Sequence, residues 1–287
     1  AGGRMATRRM SGARLDHGAQ FFTVRNPLFQ VYVDQWLKAG VIREWFRSDS
    51  GDSNLEGHSR YCGINGMSDV PKYLAKELVV YNSVQVSELV RDGTHWCART
   101  QDGLNFSARQ IVITVPLPQA LMLLDTSGLN YAGVDQAALH AVRYEKGLAT
   151  LAILDGPSGL PSMGARRVEN SPITWIADNQ MKGISPDVCA VTIHASADFS
   201  AAHWGSADEV RGALMLEAAS TYLEANVLEY SCHRWGFTRV LNPWRHAYYS
   251  NDALQLILAG DAFGGDRVEG AGLSGIAAAG HLIAARK

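Results

Sequence analysis

Gly270, Gly272 and Gly275 satisfy a GxGxxG spacing near the end of this 287-residue chain, a few residues after the pair Gly260-Asp261. Glycines at such spacing let a backbone approach a phosphate, and a helix N-terminus behind them offers N–H groups to an anion. Asp261, just past an apolar run, is placed to accept a hydrogen bond from a sugar hydroxyl. The spacing alone is weak, because a dinucleotide fingerprint needs a second strand and an acidic residue ~20 positions further on. Close helix packing through small residues is an equal reading. A second signal of the same type opens the chain: Gly2 and Gly3 are followed by Arg4, whose guanidinium is a fixed fork of phosphate donors. Read by itself, that segment is somewhat better explained as a basic tail.

Other constellations are less informative. Asp16-His17-Gly18-Ala19-Gln20-Phe21-Phe22 pairs a polar turn with two aromatics. His17 beside Asp16 suggests a base with its carboxylate, but sequence neighbours rarely face each other, which favours a turn. Gly272-Leu273-Ser274-Gly275-Ile276 lacks the last glycine of a nucleophile elbow. The nine histidines form no zinc-protease pattern and the four cysteines no CxxC, so no metal site is expected. Widely spaced Cys62, Cys97, Cys189 and Cys232 suit free thiols in a reducing cytoplasm. Glu88 and Asp92 read as solvated hairpin charges. Trp175, Trp204, Trp235 and Trp244 are core by composition, although some could wall an apolar pocket. A formal net charge of −2 gives no reason to expect nucleic acid or an anionic membrane as partner.

The elements that must position these residues follow from pattern. Residues 14–24 read as extended with a turn at His17-Gly18. Asn26-Pro27 starts a helix that presents Leu28, Val31, Tyr32 and Trp36 on one face and ends at Gly40. Residues 47–57 read as an exposed loop. Ser68 caps a second helix, with Val70, Tyr73, Leu74 and Leu78 inward. Residues 84–109 form a β-meander turning at Asp92-Gly93 and Asp102-Gly103. Residues 111–115 read as a buried strand stopped by Pro116, and 120–143 as mostly helical. Strands are expected over 148–154, 173–177, 188–195, 233–240 and 254–258, and helices over 208–225 and 273–285. The mixture argues for an α/β or α+β fold.

GGRMAT, DHGAQFF, GMSDVPKYLAKEL, VQVSEL, IVITVP, LAGD and VEGAGLSG occur in this order over most of the chain. Together they resemble the bacterial renalase-like flavoproteins of the FAD-dependent amine oxidase superfamily. The resemblance implies a p-hydroxybenzoate-hydroxylase-like architecture: a discontinuous Rossmann-type FAD-binding domain over 1–25, 65–120 and 246–287, and a β-rich substrate domain over 26–64 and 121–245. The first βαβ unit of such a domain, with its own GxGxxG turn, is missing here.

Carried onto this sequence, the resemblance puts Gly2, Gly3 and Arg4, with Arg9, along the FAD pyrophosphate, and Gly18, Ala19 and Gln20 near the isoalloxazine. Val86 would meet the adenine through its backbone, Gly260 and Asp261 the ribityl–pyrophosphate region. Gly272, Leu273 and Ser274 would form a helix start beneath the flavin pyrimidine. The implied activity is hydride transfer from misreduced dihydro-NAD(P) isomers to flavin N5, with reoxidation by O2 to give NAD(P)+ and H2O2. Such a donor needs positioning more than a dedicated base. Gln20, Phe22, Tyr61, Trp175 and Trp235 are chosen by residue type as the substrate site. An amine oxidase and a non-catalytic α/β fragment are the alternatives.

Overall fold

The computed structural model describes residues 2–47 and 57–285. It divides into two compact units, one formed by Ala1–Leu78 with Glu145–Thr238, the other by Val79–Tyr144 with Arg239–Lys287. The class is mixed α/β, as the alternation of elements implies.

The first unit is organised on a five-stranded sheet in the order Ala165–Arg167, Ile173–Asp178, Ala190–Ala195, Tyr144–Leu154, Val227–Val240. The first four of these strands pair antiparallel in succession. Val191, Ile193, Leu148, Ala152 and Ile176 pack on the helix Asp208–Ala219 through Met215 and Ala219. Leu151, Ile153 and Ala190 instead pack on Ala13 and Leu15 of an antiparallel hairpin, Thr7–Met10 with Ala13–Asp16. The alternation of strand side chains accounts for both layers. The GGRMATRR segment is therefore not a basic tail: it makes a short 3-10 turn, Gly3–Met5, and then the first strand of that hairpin.

The helix Pro27–Lys38 begins where expected, with the Asn26 side chain accepting from the Leu28 amide, a cap worth about 1 kcal/mol. Its inward face is Phe29, Val33 and Trp36, whereas Leu28 and Val31 are exposed. Several apolar residues share this short helix, so its composition supports two faces, and Phe22 decides between them by packing on Phe29 and Trp36. In the second helix, Asp69–Leu74, only Val70 is buried; Leu74 and Leu78 are exposed and Ser68 makes no side-chain cap. The loop expected over 47–57 lies largely outside the described residues. The helix expected over 208–225 stops at Ala219 and gives way to a 3-10 turn, Ser220–Tyr222.

The second unit holds the meander, Val86–Asp92, His95–Thr100 and Asn105–Ala108, turning at the expected glycines. A small sheet orders Tyr249–Asn251, Leu256–Leu258 and Ile111–Ile113, the last two parallel. Ile113 is buried, but Val112 is exposed, so this β-branched run is covered on one face only. Leu89, Trp96, Leu117, Leu121, Leu124, Tyr131 and Leu258 make one core with Trp244 and Phe263.

The last helix runs Val268–Ala284, five residues earlier than expected. Gly270 and Gly272 lie inside it rather than in a loop ahead of it. A Cβ on Gly264 would stand 1.8 Å from the Gly270 carbonyl oxygen, so Gly264 and Gly270 are used for close backbone packing. Among the described residues no helix is long and apolar enough to cross a membrane.

Candidate active site

In the first unit, chain reversal at His17–Gly18 brings the two opening motifs together. The Ala19 amide donates to the Arg4 carbonyl at 2.8 Å. A Cβ on Gly18 would sit 2.0 Å from that same oxygen, so only glycine permits the approach. The Arg4 guanidinium donates to the Phe237 carbonyl at 3.0 Å. Gly3 has no atom within 4 Å of where a Cβ would stand, leaving bare backbone beside Arg4. Arg9 is an exposed hairpin residue opposite Arg14.

Beneath this turn lies a buried ionic network that the sequence reading missed. Lys182 and Asp16 are both fully buried and paired at 2.7 Å. Lys182 Nζ also donates to the Gln20 carbonyl at 2.5 Å. Asp16 Oδ1 accepts from Thr7 Oγ1 at 2.5 Å and from the Met67 amide at 2.9 Å. The Asp16 carbonyl accepts from Thr192 Oγ1 at 2.9 Å and from Gln20 Nε2 at 2.5 Å. Both ends of the 16–20 segment are thereby fixed to the sheet. No spacing signal could have found Lys182, which is 166 residues from Asp16.

Asp16 thus faces Lys182, while His17 turns the other way into an imidazole–indole cluster. Its ring lies 4.8 Å from His233 and 5.0 Å from Trp235, and its carbonyl accepts from Trp235 Nε1 at 2.8 Å. Burial, reinforced by the nearby His233, lowers the His17 pKa to about 4. Burial also lowers His194 to about 4. Both are neutral imidazoles at neutral pH.

The aromatics proposed from residue type separate into three groups. Phe22 is buried with Tyr61, Phe29 and Trp36 and is core packing. Neighbouring Phe21 points the opposite way, to Trp175 at 5.7 Å, Trp45 at 6.3 Å and Phe46 at 6.4 Å. Trp235 belongs with the histidines. Trp175 and Gln20 stay associated: Gln20 Nε2 is 3.5 Å from His194 Nε2, and His194 is the cross-strand partner of Trp175. Phe21, Trp45, Phe46 and His194 were not singled out in sequence, because an aromatic in an apolar segment carries no signal separating a site wall from core.

In the second unit, Gly260, Asp261 and Ser274 come together. Ser274 Oγ accepts from the Gly260 amide at 2.9 Å, and Tyr144 donates its hydroxyl to Asp261 at 3.1 Å. Val86 stays in the meander opposite Thr100, packed on the core. Gly272, Leu273 and Ser274 occupy the second turn of the last helix, not its start. The ladder has begun by Ala271, whose amide donates to Arg267, and Glu269 already places a carboxylate in the first turn. The dipole end therefore faces Val268–Gly270 and a resident acid. Gly275, by contrast, is bare, with nothing within 4 Å of a Cβ position. Taken unit by unit, bare backbone at Gly3 beside the Arg4 fork in the first, and bare Gly275 with a buried Asp261 at a strand end in the second, each fit the phosphate or sugar chemistry of a flavin dinucleotide.

A family model described as flavin containing amine oxidoreductase matches residues 38–283. A chain named as a protoporphyrinogen oxidase from Exiguobacterium sp. 255-15 is similar at 15% identity and TM-score 0.60, over 78% of this chain and 52% of that one. A putrescine oxidase triple mutant redesigned for cofactor binding is similar at 15% identity and TM-score 0.55, over 81% and 55%. An oxidoreductase from Methanosarcina mazei is similar at 13% identity and TM-score 0.56, over 89% and 65%. At these identities the likeness shows a shared fold, and the chain spans between about half and two thirds of the solved structures' length.

Proposed function

Because this chain belongs to the family of flavin-containing amine oxidoreductases, we propose that the protein is an FAD-dependent oxidase whose substrate is a dihydronicotinamide dinucleotide with its hydride at a misreduced position. A bound flavin supplies the two-electron acceptor; O2 is the terminal oxidant, and the products are NAD(P)+ and H2O2. The segments proposed for the cofactor are Gly2–Arg4, Gly18–Gln20, Gly260, Asp261 and Gly272–Ser274, with Val86 and Arg9 as outer contacts. In domain terms, 1–25, 65–120 and 246–287 carry the cofactor, and 26–64 and 121–245 the substrate. Working in a reducing cytoplasm is part of the same reading and rests on four free thiols.

The observation that carries the substrate class is the charge on the aromatic wall. The Arg60 guanidinium stands 5.3 Å from the Phe21 ring centroid and 5.1 Å from that of Phe46. Lys182 Nζ stands 4.7 Å from the Trp45 centroid. Asp16 offsets the Lys182 charge, but these cations already occupy faces of Phe21, Phe46 and Trp45, so a substrate ammonium would find those cation–π positions taken. A neutral dihydropyridine on an anionic dinucleotide has no such conflict. With His17 and His194 neutral, positioning of a strong hydride donor is the task left to the chain.

The test is anaerobic bleaching of FAD bound to this protein. Dihydro-NAD isomers made by non-enzymatic reduction are expected to bleach the flavin, and putrescine or benzylamine to leave it oxidised. Bleaching by the amines alone would overturn the substrate assignment in favour of an amine oxidase. Trp175→Ala and Trp235→Ala are each expected to raise apparent KM.

A further inference from the structure

We infer that Gln20, Trp45 and Trp175 form a subsite for a primary carboxamide carried on a flat ring. Among the buried polar atoms of the first unit without a hydrogen-bond partner, Gln20 Oε1, Trp45 Nε1 and Trp175 Nε1 belong to one ring cluster, whereas His17 Nδ1 belongs to the imidazole–indole cluster. Buried polar atoms are nearly always paired, so orphans gathered in one place call for a ligand. The orientation of the Gln20 amide is fixed from outside. Gln20 Nε2 donates to the Asp16 carbonyl at 2.5 Å and to the Gly18 carbonyl at 3.3 Å, so the amide cannot be turned to exchange its oxygen and nitrogen.

The three residues share one neighbourhood. Gln20 touches His194, which is cross-strand to Trp175 on the same sheet face. The Trp45 and Trp175 centroids are 6.4 Å apart, and Phe21, adjacent to Gln20 in the chain, packs on both. Lys182 closes the group, donating to the Gln20 carbonyl while lying over Trp45. Phe21, Trp45 and Trp175 are only half-buried, so the cluster reaches the surface.

The three atoms of the ring cluster are one acceptor and two donors. An ammonium offers donors only and leaves both indoles unpaired; a carboxylate offers acceptors only and faces Gln20 Oε1 with another oxygen. A primary carboxamide supplies N–H groups for the glutamine and a carbonyl oxygen with two lone pairs for the indoles. Phe21, Trp45 and Trp175 pack on one another at 5.7–6.4 Å, and their half-exposed sides offer a planar partner an aromatic surface. The inference deepens the dihydronicotinamide reading and rests on it for the reaction, but not for the carboxamide chemistry.

Isothermal calorimetry on this chain with three probes sharing one ring tests it: nicotinamide, nicotinate and 3-(aminomethyl)pyridine. Nicotinamide is expected to bind at least about tenfold more tightly than the other two. Trp45→Phe and Trp175→Phe keep a ring but delete the N–H. Each is expected to weaken nicotinamide about five- to tenfold and to leave 3-(aminomethyl)pyridine unchanged, as loss of one hydrogen bond implies. Circular dichroism of both variants checks that they fold. Equal binding of the three probes, no saturable nicotinamide binding, or identical nicotinamide affinity in the folded variants would overturn the subsite. Failure of dihydronicotinamides to bleach the flavin, with probe selectivity intact, would instead remove the proposed reaction and leave the subsite standing.

Discussion

Lys182→Met removes the ammonium from a fully buried carboxylate. Asp16 Oδ1 would keep the Thr7 hydroxyl and the Met67 amide, but Oδ2 would lose the cation at 2.7 Å. Breaking a buried pair from one side leaves an uncompensated charge and costs about 3–5 kcal/mol. Asp16→Asn strands the Lys182 ammonium at a similar cost. The double variant has no buried charge; it lacks the donor to the Gln20 carbonyl and a polar contact, a loss of about 1–3 kcal/mol. The two singles therefore sum to roughly 6–10 kcal/mol and the double stays well below them, a coupling of about 3 kcal/mol or more. Guanidinium unfolding at pH 7 followed by tryptophan fluorescence reads this, since Trp36, Trp45, Trp175, Trp204 and Trp235 all lie in the first unit. For a unit of this size the single Lys182→Met variant is expected to lower Tm by about 6–20 °C. An additive double variant, or a single that costs less than about 1 kcal/mol, would refute the view that this pair ties the 16–20 segment to the sheet.

Three other outcomes are expected. Gly18→Ala drives a methyl into the Arg4 carbonyl, so the Ala19–Arg4 bond should break and limited proteolysis should cut near residues 2–10 much faster; an unchanged digest would count against the close approach. Ser274→Ala leaves the Gly260 amide without its acceptor and should cost about 1–3 kcal/mol in thermal unfolding, against no change if the bond is incidental. His17 and His194 titrate near 4 when folded but near 6.5 when unfolded, so the unfolded chain binds more protons between those values. Stability should accordingly fall as pH drops from about 6.5 to about 4, with a slope approaching two protons, and His194→Asn should flatten it; a flat profile in the parent protein would refute the burial of both rings.

The meander shows why some of the fold was legible locally. Asp92-Gly93 and Asp102-Gly103 force turns whatever surrounds them, and the strands between alternate with period two. Asn26-Pro27 is equally local, because the cap and the fixed proline φ act within one helical turn. The inward face of that helix was not legible: Leu28 and Val31 are as apolar as Phe29 and Val33, and only the position of Phe22 separates them. The last helix failed for a related reason. Gly270 and Gly272 disfavour helix in isolation, but backbone packing of Gly270 on Gly264 makes glycine the residue the helix needs there.

For the site, the sequence by itself determined which segments are unusual: Gly2–Arg4, Asp16–Gln20, and Gly260-Asp261 with the glycines after it. Glycine and short polar turns constrain the backbone at the position where they stand, so their meaning survives without neighbours. Only the tertiary structure decided that Asp16 answers to Lys182, that Phe21 rather than Phe22 turns toward Trp45 and Trp175, and that Gln20 keeps an unpaired oxygen beside them. Burial, ion pairing and unmet hydrogen bonds are properties of atoms brought together across many residues of chain. Residues 45 and 182 carry no pattern until the sheet and hairpin have closed around them.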